Sequence, residues 1–167
     1  VRVIDYKSGK QEFNLLETYY GLKMQLITYL DAAMKIEEKR HPGKRIIPAG
    51  VYYYNIDDPI IEIAPQEAKE CNSVQDISDK ILEELKMTGF TNSNKNIVKM
   101  MDSTEDKSSV IPVAYKKDGG FTASSKVYDT EQISNLVDYM ELKSVDVGEA
   151  ILDGKTDINP YRTGTDT

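Results

Sequence analysis

The sequence predicts an α/β (α+β) domain in which a small mixed central sheet is flanked by helices. Three observations predict it. An apolar, β-branched run at Val1, Val3 and Ile4 closes at Gly9. A long amphipathic stretch follows from Leu22 to Arg40, and a second β-rich run spans Ile46 to Tyr54 with no hairpin repetition between the two runs.

Residues 1 to 9 read as a short, largely buried strand. Ser8 and Gly9 turn the chain, and Lys10 to Gly21 connects strand to helix with a short helical turn over Leu15 to Tyr20. The main helix, Leu22 to Arg40, carries Leu22, Leu26, Tyr29, Leu30, Ala33 and Ile36 at helical spacing and stops by His41, because Pro42-Gly43 ends helical structure. Lys44 to Ile56 supplies a second strand beside the first. Alternation sets Tyr53 opposite to Tyr52 and Tyr54, a pattern that suits packing, with base stacking as the alternative. Asp57-Asp58-Pro59 reads as a structural turn.

Ser73 opens a helix whose apolar face is Val74, Ile77, Ile81, Leu82 and Leu85 and which ends before Gly89. A short helix is expected from Asn94 to Met101, a strand from Val110 to Tyr115, and a polar turn at Lys116 to Gly120. Thr130 and Glu131 begin the last helix, with Ile133, Leu136, Val137, Met140 and Leu142 at core spacing up to Leu152 and Gly154 as its C-terminal cap.

Bulk composition bounds the function. The length, 167 residues, suits one domain, expected over residues 1–162, with a disordered polar tail at 163–167. The formal charge of −7 runs against simple nucleic-acid binding. Its distribution is uneven: residues 1–45 hold nine Lys/Arg and six Asp/Glu, a balance of +3, and the remainder hold 12 and 22, a balance of −10. Cys71 is the single cysteine, so no intrachain disulfide forms, which suits the cytoplasm. No apolar stretch approaches the roughly 18 to 20 residues that cross a bilayer, so no membrane association is expected. The only histidine, His41, reads as a surface loop residue.

Period-two alternation puts Asp5 and Lys7 on one face of the first strand and Tyr6 on the other. An acid beside a lysine suits metal-assisted phosphodiester hydrolysis. Asp5 would hold a hard divalent cation, with the backbone carbonyl of Tyr6 as a further ligand, and Lys7 would stabilise charge on phosphate oxygens or orient the attacking water. Taken alone, the triplet equally describes a solvated ion pair. Gln25 and Tyr29 lie four apart, one turn along one helical face, where both can reach one site, the alternative being Tyr29 in the core and Gln25 on the surface.

Residues 5–9 (DYKSG), 19–22 (YYGL) and 25–31 (QLITYLD) together resemble the AddB-type subunit of bacterial AddAB helicase-nucleases, with its RecB-like nuclease motifs. Residues 48–52 with 56–59, and 148–154 with 158–162, are similar to the same region in the same order. The resemblance is strongest at residues 1–60 and 120–162 and weakest at 67–117. It implies a restriction-endonuclease-like fold, Asp5 as a metal-binding acid, Lys7 as the lysine of a PD-(D/E)XK pattern, and Gln25 and Tyr29 as a QxxxY motif.

It further implies Mg²⁺-dependent hydrolysis of single-stranded DNA delivered by an AddA-like helicase partner, in double-strand break repair and recombination. Two family features are expected outside these residues, which read as a piece of a longer polypeptide: a second metal-binding acid on an upstream strand, and the four cysteines of a 4Fe-4S cluster. The isolated residues are therefore expected to be inactive. A second hypothesis is a nuclease-like module with an incomplete site that guides DNA or holds a partner. A third, an unrelated α/β protein, needs four motif matches in order by chance.

Overall fold

A computed structural model describes residues 1–56, 59 and 74–158. In chain order the elements are β1 (Arg2–Lys7), α1 (Leu15–Tyr19), α2 (Gln25–Arg40), β2 (Gly50–Asn55), α3 (Val74–Glu84), β3 (Thr88–Asn92), α4 (Lys95–Met101), β4 (Val127–Tyr128) and α5 (Thr130–Leu152). The strands form one mixed sheet in the order β1-β2-β3-β4. β1 runs parallel to β2, with Asp5 opposite Tyr53 and Lys7 opposite Asn55, while β2 and β3 are antiparallel and β3 and β4 parallel. Parallel neighbours need a crossover, and α2 provides it.

Alternation divides the apolar side chains between the sheet's two faces. Val51, Tyr53 and Phe90 pack with Leu26, Ile27 and Leu30 of α2 and Ile133, Val137 and Met140 of α5. Each fully buried aliphatic side chain there contributes about 2 kcal/mol. Tyr52 turns the other way, into a second cluster with Met87, Val98, Ile111 and Val113. Its hydroxyl shares a buried 2.9 Å hydrogen bond with Thr91 Oγ1. Val1, just before β1, and Val3 join the α2 side, and Ile4 joins the second cluster. Asp5 and Lys7 therefore continue the row that faces α2.

Several expectations hold. The second strand pairs with the first, Tyr53 faces away from Tyr52, and α4 and α5 occupy the expected spans. Asp129 caps α5 through a reciprocal capping box with Gln132, and Gly154 (φ +68°) follows its end. The turn at Lys116 to Gly120 is closed by two backbone hydrogen bonds.

Other expectations are corrected. The long helix begins at Gln25, not Leu22, because Gly21 (φ +82°) ends the α1 turn and Leu22 N donates back to Glu17 O. The β-rich run forms a ladder only from Gly50, since Pro48 has no N–H to donate. Among the described residues β1 is an edge strand, so it is half-buried rather than largely buried. The α3 helix forms as expected and ends before Gly89, and none of its residues is buried.

Val110 to Tyr115 is not a strand. Pro112 interrupts it, Val113 N turns back to Ile111 O, and Ala114 N is satisfied by the Ser125 hydroxyl. Its buried Ile111 and Val113 plug the second cluster from a loop. The stretch after α3 is instead a strand, β3, in which Gly89 (φ +135°) sits where an added Cβ would lie 2.1 Å from Val51 O. Asp57, Asp58, Ser73, Cys71 and the tail at 163–167 lie outside the described residues. Among the described residues, no helix is long and apolar enough to cross a membrane.

Gly89→Ala combines a forbidden close approach with a disfavoured φ, and is expected to cost about 3 kcal/mol or more. Gly148→Ala, in mid-helix with nothing within 4 Å of the added Cβ, is expected to stabilise by up to about 1 kcal/mol. Urea denaturation midpoints of the two variants check both signs.

Candidate active site

β1 and the first turn of α2 converge on one cluster. Lys7 Nζ lies 2.9 Å from Asp5 Oδ2 and donates a 2.8 Å hydrogen bond to Gln25 Oε1. The other end of the same amide, Gln25 Nε2, donates 2.8 Å to the Tyr29 hydroxyl. All four side chains singled out in the sequence are thus joined in a line, Asp5 to Lys7 to Gln25 to Tyr29. Period two brings the first pair together, and the four-residue helical repeat the second.

Tyr29 is 46% exposed, so it is not core but an open end of this line. Tyr53, opposite Asp5 in the ladder, forms the floor, with Lys7 Nζ 5.8 Å from its ring centroid.

The Asp5 side chain is 14% exposed, and its Oδ2 is buried with no hydrogen-bond partner beyond the ion pair. The polar contact with Asp5 holds the Lys7 ammonium above its ordinary range; burial opposes this, and the negative charge of Asp5 adds to it. Burial raises the Tyr53 phenol, and the neighbouring Lys7 pulls it back down.

Tyr6 points its ring away, 64% exposed, edge-on to Tyr54 at 5.7 Å between centroids. Its carbonyl direction follows from the ladder. Val1 O and Lys7 O accept from Ala49 N and Ile56 N on the β2 side, so the carbonyls of even-numbered residues turn toward the outer edge of the sheet.

A carboxylate with an unmatched buried oxygen and a carbonyl at an edge that is unpaired among the described residues are both hard oxygen donors, the kind Mg²⁺ takes. They make a partial set that water and substrate phosphate would complete. Among the described residues, no three or more His, Cys, Asp or Glu gather to hold a metal without such help.

Sequence reasoning missed a second acid–lysine pair. Glu17 Oε2 lies 2.8 Å from Lys23 Nζ and, beyond that ion pair, is also buried without a hydrogen-bond partner. Both charges act on the Tyr53 phenol, so the pair lies near the same tyrosine. A spacing of six residues carries no helical or strand signal, and the turn at Gly21 is what brings the two together. His41 is exposed near Glu37, and Lys116 and Lys117 are exposed on their turn, so none of the three joins the cluster.

The family model described as the PD-(D/E)XK nuclease superfamily matches residues 1–165. The chain belongs to this superfamily. The mixed sheet with flanking helices is its restriction-endonuclease-like α/β fold. Relatives described as the B subunit of an ATP-dependent helicase/deoxyribonuclease share its sequence. The one from Lachnoclostridium phytofermentans is 41% identical over 97% of this chain, that from Clostridium tetani 39% over 97%, and that from Alkaliphilus metalliredigens 36% over 100%. The chain spans 14% of the length of each.

Because Asp5 raises the Lys7 pKa, the stability Lys7 contributes is fully present below its ordinary value of 10.5 and is lost as pH rises through the higher folded value. Near neutral pH this contribution is constant. In ¹⁵N-detected NMR, Lys7 is expected to titrate above 10.5 in the native protein and to move down in Asp5→Asn; an unmoved Lys7 would dissolve the pair.

Proposed function

We propose that these residues form the nuclease module of a helicase–deoxyribonuclease that hydrolyses single-stranded DNA in double-strand break repair and recombination. An AddA-like helicase partner would deliver the strand, in the cytoplasm. The observation that carries this reading is the hydrogen-bonded line from Asp5 through Lys7 and Gln25 to Tyr29.

In this reading Asp5 and the Tyr6 carbonyl hold Mg²⁺. The bound ion supplies Lewis-acid polarisation of the phosphate and a more acidic water. Lys7 holds its positive charge where negative charge grows on the phosphate oxygens, as water oxygen bonds to phosphorus and the sugar oxygen leaves. Gln25 is a positioning residue. By accepting from Lys7 and donating to Tyr29, it fixes which way the ammonium points, and the Tyr29 hydroxyl fixes which way the amide lies.

One observation favours the alternative, a module that guides DNA or holds a partner: among the described residues, a single carboxylate faces the Lys7 ammonium at ion-pair distance. A complete site would then draw a second acid from elsewhere in the longer protein, and residues 1–167 alone would be inactive. A 4Fe-4S cluster would likewise need cysteines from elsewhere, since this chain has one.

In the full-length protein, Asp5→Ala and Lys7→Ala are each expected to lower single-strand cleavage by about 10³-fold while DNA affinity stays within about twofold. Tyr29→Phe is expected to cost about 10-fold, with the Mg²⁺ concentration dependence unchanged. Wild-type cleavage rates in Asp5→Ala would overturn the enzymatic reading.

A further inference from the structure

Three recesses of about 300, 520 and 510 Å³ share walls along one flank of the sheet. The first opens at Lys7 and Tyr53, and Lys10 and Lys86 line both it and the second. The second passes to the third across Phe13 and Lys126, and the third ends at Lys23. They form one groove that starts at the ammonium of the candidate site.

The charge along this groove is uneven in an informative way. Glu84 engages Lys10, Glu83 engages Lys107, and Glu17 engages Lys23. Lys86 and Lys126 have no carboxylate at ion-pair distance among the described residues, and Glu12 is the acid left over. Lys86 is half-buried. Its burial, and then the nearby Lys107, make its charge harder to hold, and Glu83 and Asp102 offset only part of this. An ammonium kept half-buried beside a second cation, with its nearest acids beyond ion-pair distance, gains when an anion comes to it.

We propose that this groove is the track for the single-stranded DNA on either side of the scissile bond, with Lys86 and Lys126 contacting successive phosphates. The proposal rests on the nuclease reading above, since the track is defined by starting at Lys7. A polynucleotide strand is the anion that fits, because its charges repeat along a line as these lysines do. Each recess reaches the size of a small-molecule site, which suits splayed nucleotides of one strand rather than the smooth convex surface of a duplex. Phe13 lies where the second and third recesses meet, an aromatic surface for a base.

The test uses the full-length protein and an oligothymidylate of about 20 nucleotides carrying 4-thiothymidine, long enough to exceed the site sizes usual for single-strand binders. Irradiated with Ca²⁺ in place of Mg²⁺, the wild type is expected to give adducts in the peptides around residues 10–13, 84–89 and 122–126. Lys86→Gln with Lys126→Gln is expected to lose them while keeping the wild-type melting temperature, and Lys86→Arg with Lys126→Arg to restore them. Steady-state cleavage of the same oligonucleotide by the double glutamine variant is expected to show KM raised about 10-fold with kcat unchanged. The slope of log(kcat/KM) against log[salt] should become shallower by about 1.4, two phosphate contacts at about 0.7 each.

Adducts absent from all three peptides in the wild type, or a double glutamine variant with wild-type KM and salt slope, would overturn the track. Adducts present and lysine-dependent in a protein that does not cleave would overturn the nuclease reading and leave the track standing.

Discussion

The parallel pairing of β1 with β2 is the constraint on which the rest depends. Its register sets Val3, Asp5 and Lys7 on the side of the sheet covered by α2, and Ile4 and Tyr6 on the other. A slip of one residue would turn Asp5 and Lys7 away from α2 and bring Tyr6 in their place. The right-handed habit of parallel crossovers returns the chain over one face of the sheet, so the helix that joins β1 to β2 also packs on them. That packing is secured by Leu26, Ile27 and Leu30. It brings Gln25, at the first turn, to Lys7 without any special loop.

Polar satisfaction is uneven in a way that marks the site. Elsewhere the buried groups are well matched: the Asn92 amide donates to Pro48 O and to Thr130 Oγ1, and the Tyr52 hydroxyl meets Thr91. Among the described residues, four buried side-chain oxygens lack a hydrogen-bond partner. Two of them, on Asp5 and Glu17, belong to carboxylates that act on Tyr53; for the others, burial and then the Asp102 carboxylate raise the Tyr115 phenol. Unmatched buried oxygen is costly in a finished fold and useful in a site that takes a cation or a substrate. The same balance recurs in the groove beside it, where glutamates neutralise some lysines and leave Lys86 and Lys126 open.

The sequence was legible where a single period decided the outcome. Alternation was enough to group Asp5 with Lys7 and to turn Tyr53 from Tyr52, and the helical repeat was enough to align Gln25 with Tyr29. The long helices followed from apolar spacing and from end signals such as Gly154, while the Asp129 cap came to light only in the structure. Legibility failed where tertiary context overrides local pattern. β3 has one large apolar residue, Phe90, and contains Gly89, which reads as a breaker although the sheet needs it because Val51 O leaves no room for a Cβ. The apolar stretch around Pro112 reads as a strand but is a loop whose side chains fill a core. Glu17 and Lys23 meet only through a glycine turn, which no spacing rule encodes.

The measurement that bears most directly on the central claim is paramagnetic broadening by Mn²⁺, read residue by residue in NMR spectra of the protein. The account predicts that the signals of Asp5, Tyr6 and Lys7 broaden first, at the lowest Mn²⁺ concentration, and that the broadening there disappears in Asp5→Asn. Broadening centred on other acids, such as Glu83 and Glu84, with β1 unaffected, would contradict it.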